Sequence, residues 1–122
     1  MANEINIQAS LTFQRFIPLL QGSGNLNINQ TATHGIFNVQ NVGTTAEQLT
    51  GVDVVTLGYL FVKNLDATNF VQLATDNTFS ATSTFAKLRP GEFCLVPSNA
   101  TTMPWAKANT AGCDVLVCAV EA

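Results

Sequence analysis

The side chains that can act as nucleophiles, proton carriers or metal ligands are few and far apart. The 122 residues include a single histidine, His34, and three cysteines, Cys94, Cys113 and Cys118. A catalytic pair requires a second group beside His34, and no acidic residue is near it in sequence. The lack of a Cys-x-x-Cys pair disfavours zinc. The sequence therefore predicts an exposed turn histidine and reduced, buried thiols, with Cys113 and Cys118 on opposite faces of one strand.

The eight carboxylates show no spacing that favours acid–base chemistry. They are scattered along the chain, mostly where turns and strand ends are expected, unlike the paired carboxylates of glycoside hydrolysis. Asp66 and Asp76 are predicted to lie in turns and to accept hydrogen bonds from their own backbone. No phosphate-binding loop, EF-hand or nucleophile-elbow motif occurs. We therefore expect no catalytic residue, no metal site, no cofactor and no enzymatic activity.

Composition narrows the classes of partner. The net charge is −3 with five Lys and Arg, which disfavours a nucleic-acid partner because phosphates require a basic patch. No apolar run of about 18 residues is present, so we expect no membrane span. Charged residues make up 11% of the chain, against about 25% in typical domains. A surface with so few charges provides little repulsion between molecules, which favours a homo-oligomer or a protein partner. The alternative is a monomer whose surface is covered by threonine.

Strand signals dominate the N-terminal part of the chain. Every second residue from 5 to 13 is apolar: Ile5, Ile7, Ala9, Leu11 and Phe13. This alternation predicts a half-buried strand. Residues 21–24, which contain two glycines, are predicted to form a flexible turn. We expect a single domain in which residues 31–122 form the core and residues 1–30 form a polar arm that can extend or swap.

The remainder of the chain shows strands separated by turn signals every 8–12 residues. Residues 44–51 are the best candidate for a helical turn, and residues 52–62 are predicted to hold two strands joined or bent near Gly58. Residues 64–69 are predicted to connect the two strands of a hairpin, and residues 89–91 to form a type II turn. The pattern predicts an all-β fold, a single-domain antiparallel β-sandwich or barrel with an extended N-terminal arm.

The aromatic residues suggest where the core and the contact surfaces lie. The phenylalanines at positions 61, 70, 79, 85 and 93 are predicted to pack in the core rather than to stack on nucleic-acid bases. Trp105 follows Pro104 outside any clear strand, so it is either an interface anchor or a plug that closes one end of the sandwich. The candidate interface residues are Trp105, Met103, Ile5, Ile7 and Phe13.

The order of strands and turns in the second half of the chain resembles small structural proteins of tailed bacteriophages. The resemblance covers roughly residues 59–120, and it is carried by residues 59–73, 85–97 and 105–117. Proteins of this kind occur among capsid decoration and tail components. The resemblance implies a structural role in a virion, in many copies and without an active site, after assembly in the host cytoplasm.

These observations lead to one expected function and two alternatives. We expect a capsid decoration or cement protein that binds and stabilises the assembled shell of the major capsid protein as a dimer or trimer. The arm would add a strand to the sheet edge of a neighbouring virion protein. The first alternative is a tail component, such as a fibre, baseplate or tube-associated subunit. The second is a carbohydrate-binding β-sandwich with Trp105 as the stacking platform.

Overall fold

The chain is built from β-strands. The computed structural model describes residues 4–13, 20–32, 34–51 and 53–122, with the backbone alone at Phe13 and Leu20. These residues contain no helix, and hence none that is long and apolar enough to cross a membrane. The predicted all-β class is confirmed. The strands are β1 (Ile5–Phe13), β2 (Leu20–Ile28), β3 (Gly35–Val42), β4 (Glu47–Gln48), β5 (Tyr59–Asn64), β6 (Val71–Ala74), β7 (Thr84–Leu88), β8 (Phe93–Pro97), β9 (Trp105–Ala108) and β10 (Cys113–Val120).

The chain divides into two compact units, residues 1–32 with Ala122 and residues 33–121. In the first unit, β1 and β2 pair antiparallel, with Ile5 opposite Ile28 at one end. The predicted span of β1 is confirmed. Its alternation places apolar side chains on one side of the ribbon and polar side chains on the other. Residues 21–24 lie inside β2, so the predicted flexible turn is wrong. Their glycines alternate with polar residues and therefore fit opposite the apolar residues of β1.

The second unit consists of two four-stranded antiparallel sheets. Their strand orders are β3-β10-β5-β8 and β4-β9-β6-β7. The inward side chains form one core of small aliphatic residues, including Val42, Leu60, Val62, Leu73 and Val115. This layered packing is that of a β-sandwich, in which the hydrophobic effect holds the facing sides of the sheets together.

The helical turn predicted for residues 44–51 is absent. The chain forms the short edge strand β4 there, with Glu47 opposite Ala106 and Gln48 opposite Trp105. The Glu47 carboxylate accepts hydrogen bonds from the backbone N–H of Gly43 at 3.1 Å and from Gln40 Nε2 at 3.1 Å. A helix this short is marginal by itself, so pairing with β9 determines the local conformation.

The apolar segment at residues 52–62 holds one strand rather than two. Of its described residues, 53–62, the last four belong to a strand, β5, and those before them form turns and loop. Leu57 is buried in the core from this loop, whereas Val55 is 68% exposed. An apolar run predicts burial, but its period does not distinguish a strand from a loop that covers the core.

The connection at residues 64–69 does not close a hairpin. It joins β5 in one sheet to β6 in the other, so the predicted pairing of these strands is wrong. The type II turn at residues 89–91 is confirmed: Gly91 has a φ of 79°, and Glu92 N–H donates to the Arg89 carbonyl at 2.9 Å. Glycine is favoured at the third position of this turn because a Cβ disfavours a positive φ.

Candidate interaction surface

The outer side of the β3-β10-β5-β8 sheet is apolar on all four strands. The inward residues of these strands are the core residues, so the alternating neighbours point outward. We call this side the apolar face. It consists of Phe37 and Val39 on β3, Leu116, Cys118 and Val120 on β10, Tyr59 and Phe61 on β5, and Phe93, Leu95 and Pro97 on β8.

Strand register arranges the apolar face in rows. One row crosses the sheet through residues that are directly paired: Phe37, Cys118, Phe61 and Leu95. The next row contains Val39, Leu116, Lys63 and Phe93. The rings of Phe61 and Phe93 stack with centroids 5.6 Å apart and an interplanar angle of 29°. Adjacent apolar side chains thus form one continuous surface.

Several side chains of the apolar face are largely open to solvent. Phe37 is 77% exposed, Phe93 62% and Val39 53%. A third row contains Gly35, Val120, Tyr59 and Pro97. Strand spacing and residue rise give the three rows a flat area of about 400 Å². Patches of this size on monomers often have a binding function, because leaving them in water costs free energy.

The apolar face carries two charged groups, both near one end. Lys63 lies on β5 opposite Leu116, and Asp114 lies on β10 two residues before Leu116. The two side chains are therefore diagonal neighbours on adjacent strands. Asp114 Oδ1 also accepts a hydrogen bond from Asn41 Nδ2 at 3.0 Å.

The outer side of the other sheet is mixed, because alternation along β9 places Trp105 on the same side as Lys107. Lys107, Gln72 and Lys87 form one row across β9, β6 and β7. Lys87 Nζ lies 4.2 Å from the centroid of the Phe70 ring, and Lys107 Nζ lies 4.8 Å from that of Phe79. Cation–π contacts cover these rings with charged, hydrated groups. The two outer sides of the sandwich therefore differ: one is apolar on all four strands, and the other presents a row of polar and charged side chains beside Trp105.

The phenylalanines predicted to fill the core do not do so. Phe93 is 62% and Phe85 46% exposed, and Phe61, Phe70 and Phe79 are half-buried. The space between the sheets is filled by Val, Leu, Ala and Cys side chains instead. Because sheets in a sandwich are only about 10 Å apart, aliphatic side chains from both can fill the interior without large rings.

The predicted interface residues lie in different places. Trp105 begins β9 and is half-buried, so the expectation that it lies outside a strand is wrong. The Pro104 carbonyl accepts a hydrogen bond from Leu49 N–H at 2.9 Å, which helps to bring this segment to the sheet. Met103 is buried in the core at 8% exposure. A role for either residue in an interface, or for Trp105 in sugar binding, stays a prediction.

The remaining predicted interface residues belong to the first unit. Ile5 is buried and Ile7 is half-buried, both on the apolar side of β1. Phe13 ends β1, and its side chain lies outside the described part of the structure. Leu11 and Leu26 on the same side are 78% and 49% exposed. The apolar side of β1 is therefore buried at the beginning of the strand, as predicted, whereas Leu11 near its end is exposed.

His34 has an acidic partner that its sequence position did not indicate. Its Nδ1 lies 3.0 Å from Glu121 Oε1, at a sequence separation of 87 residues. Glu121 also accepts hydrogen bonds from the backbone N–H of Val55 at 3.0 Å and of Thr56 at 3.3 Å. These contacts hold the pKa of Glu121 below its ordinary value, and the hydrogen bond from Val55 N–H contributes most. The pair joins three chain segments, which gives it a structural role.

The three cysteines are free thiols. Cys113 points into the core and Cys118 toward the apolar face, which confirms the prediction that they occupy opposite faces. Only Cys113 is fully buried, whereas Cys94 and Cys118 are half-buried. Burial raises the pKa of all three thiols, which disfavours the reactive thiolate. Across the described ranges, no three His, Cys, Asp or Glu residues come together as metal ligands would.

One apolar cavity of about 400 Å³ lies in the second unit. The polar side chains in its wall are the hydroxyl groups of Thr75, Ser98 and Thr102. Among the described residues of the wall, none carries a carboxylate, imidazole, amine or thiol, so these residues offer no strong acid, base or nucleophile. Its apolar lining consists of Leu57, Leu60, Phe85, Val96, Ala100, Met103 and Pro104.

The chain matches no known protein family, no curated protein and no solved structure. The resemblance of residues 59–120 to phage structural proteins therefore stays a prediction from the sequence. The apolar face itself was missed at the sequence level. Residues 115–120 are continuously apolar in an antiparallel sheet, and this is the signal that both sides of β10 are apolar.

Proposed function

We propose that the protein is a structural subunit of a bacteriophage virion, a decoration protein that binds the assembled shell of the major capsid protein. The observation that carries the proposal is the uncovered apolar face. An apolar side left open to solvent is typical of a protein that works by association with other protein surfaces, and a decoration protein associates with its own copies as well as with the shell. Binding to the shell stabilises the assembled state, because only that state offers the complementary surface.

The resemblance supports the same role through the elements that it covers. Residues 59–73, 85–97 and 105–117 include β5 and β8 and the first part of β10, which supply most of the apolar face. These strands combine exposed apolar side chains with only two charges, Lys63 and Asp114. Contact surfaces are depleted of charge at their centre in the same way.

The first unit supplies a docking arm in this proposal. Its two strands form a ribbon with one apolar side, where Leu11 is 78% exposed. A two-stranded ribbon is marginally stable in water and gains stability when its apolar side is covered or an edge is extended. We therefore assign residues 1–32 to the contact with a neighbouring virion protein.

The copy number of the protein in purified virions tests the proposal. Virions of the phage that encodes this chain are separated from free protein by density-gradient centrifugation, and both proteins are quantified by mass spectrometry. A decoration protein is expected at a copy number comparable to that of the major capsid protein. A handful of copies would assign the protein to the tail, and its absence from virions would end the proposal.

Binding to empty shells tests the mechanism. Shells assembled without the protein are incubated with the full chain or with a chain lacking residues 1–32. The full chain is expected to co-sediment with shells and to raise their melting temperature, and the shortened chain to bind at least about tenfold more weakly. Equal binding by both chains would exclude the arm as the docking segment.

A further inference from the structure

We propose that the apolar face is the contact between two copies of this chain. The two copies would be related by a two-fold axis that lies between their facing sheets and runs along the strands, between β10 and β5. The residues of this contact all belong to the second unit, so the dimer goes beyond the proposed docking of the arm. A dimer of this kind would form whether or not the protein belongs to a virion.

The strand order of the sheet suits this symmetry. The sheet has four strands with β10 and β5 at its centre. A two-fold axis between the central strands sets β10 of one copy over the partner's β5, and β3 over the partner's β8. Each row then faces the same row of the other copy, within the roughly 30° rotation that twist imposes on aligned sheets. Phe37 meets the partner's Leu95, and Val39 meets the partner's Phe93.

The two charges support this axis over others. The axis places Asp114 of the partner subunit over β5, one row from Lys63, and the reciprocal pair forms by symmetry. Stacked sheets lie about 10 Å apart, which a long lysine side chain and an aspartate can bridge. A charge enclosed in an apolar contact is opposed by desolvation unless it meets an opposite charge. A two-fold axis perpendicular to the strands would set both charges against apolar rows.

The area of the apolar face suits a weak dimer. A flat area of about 400 Å² on each copy corresponds to somewhat more accessible surface, because the side chains project from the sheet. The two copies together bury on the order of 1,000 Å², near the lower limit for specific contacts between proteins. The dimer is therefore expected to dissociate on dilution, with a dissociation constant of roughly micromolar order.

Charge reversal tests both the contact and its axis. Sedimentation equilibrium of the full chain over a range of concentrations is expected to show a dimer at high concentration. Lys63→Glu alone and Asp114→Lys alone should each weaken the dimer by at least about tenfold, because each variant brings like charges together across the contact. An equimolar mixture of the two variants should dimerise again, since every pair between the copies then joins opposite charges.

The mixture separates contact between copies from effects within one chain. Within each variant, residues 63 and 114 carry like charges, so repulsion inside the chain persists in the mixture. Lys87→Glu makes the same charge change on the other outer side and should leave dimerisation unchanged. Phe93→Ser should abolish the dimer while the melting curve stays cooperative; if Phe93→Ser fails to fold, Val39→Ser on the edge strand serves instead.

Three results would overturn the proposal. The first is a monomer at every concentration. The second is a dimer that both Lys63→Glu and the serine variant leave intact, which would place the contact elsewhere. The third is failure of the mixed variants to associate, which would exclude the assigned axis. Virion copy number has no bearing on these outcomes, so the dimer and the virion role stand or fall separately.

Discussion

Asn64 shows how one buried polar side chain can join several segments. It is fully buried at the end of β5. Its Nδ2 donates to the carbonyls of Asn69 at 2.8 Å and Leu88 at 3.0 Å, and its Oδ1 accepts from Asp66 N–H at 2.9 Å. Every polar atom of the side chain is therefore satisfied, as burial requires.

Asn64→Ala should lower the free energy of unfolding by about 2–4 kcal/mol, because two carbonyls and one N–H group lose their partner in the interior. Urea denaturation followed by circular dichroism measures this change. Asn77→Ala removes the same groups at an exposed turn and should change stability by less than about 0.5 kcal/mol. Similar losses in the two variants would contradict the assigned role of Asn64.

Glu121 should make the protein sensitive to acid. Its pKa lies below the ordinary value of 4.5, chiefly because Val55 N–H donates to the carboxylate, with further contributions from Thr56 and His34. The folded chain thus binds this proton less readily than the unfolded chain. The contribution of Glu121 to stability is complete above about pH 4.5, and it is lost as the pH falls through the lowered pKa.

Glu121→Gln should therefore lower the melting temperature at pH 7 by roughly 5 °C and reduce its fall between pH 5 and pH 3. Thermal melts at a series of pH values measure both effects. Asp53→Asn, at an exposed turn position, serves as the control. An unchanged acid profile in Glu121→Gln would show that other carboxylates cause the acid sensitivity.

The β1–β2 ribbon and the sandwich are distinct elements of the same chain. Residues 4–13 and 20–32 make most of their contacts with one another, and residues 34–121 do the same among themselves. The sandwich has its own core, which extends over both of its sheets. Because a hydrophobic core of this kind is what makes a domain fold cooperatively, the sandwich is expected to fold without the ribbon.

Deleting residues 1–32 should leave the cooperative melt of the sandwich in place and lower its melting temperature by no more than about 5 °C. Differential scanning calorimetry of the full and shortened chains measures this. Leu11→Ser, which changes an exposed residue of the ribbon, should have no effect on the same transition. Loss of a cooperative transition after the deletion would show that the ribbon is part of the core.

At the level of the whole molecule, stability comes from packing rather than from covalent cross-links. The cysteines belong to β8 and β10 and are all free. Cys113 and Cys118 point to opposite sides of β10, and a disulfide requires Cβ atoms about 4 Å apart. The core is therefore held by the burial of aliphatic side chains between two sheets.

The melting temperature should accordingly be the same, within about 1 °C, with and without a reducing agent. Calorimetry at neutral pH with and without tris(2-carboxyethyl)phosphine measures this, and mass spectrometry under non-reducing conditions serves as a control for oxidation. A clear fall on reduction would contradict the assignment of free thiols.

The difference between the two outer sides of the sandwich is also a property of the whole molecule. The apolar face exposes Phe37 and Phe93, whereas Lys87 and Lys107 lie on the other outer side. Neither side is contiguous in sequence, because each collects residues from strands far apart in the chain. Both proposals start from the apolar face, but each has its own test: the copy number in virions for the virion role, and sedimentation of the charge variants for the dimer.

Local sequence was sufficient to predict those features that depend on neighbouring residues. Alternation predicted β1, and the order Pro90-Gly91 predicted the type II turn, because side-chain direction and φ are local properties. The turn roles of Asp66 and Asp76 were predicted for the same reason, and both carboxylates accept hydrogen bonds from backbone groups two or three residues later. The all-β class follows from the sum of such local preferences.

Tertiary contacts decided the features that join distant segments. β5 and β6 are neighbours in sequence yet belong to different sheets, while His34 meets Glu121 across 87 residues. The phenylalanines expected inside lie toward the outside, because aliphatic residues from both sheets fill the interior first. A hydrophobic pattern shows that a side chain prefers burial, but the pairing of strands decides which apolar side is covered and which remains a surface.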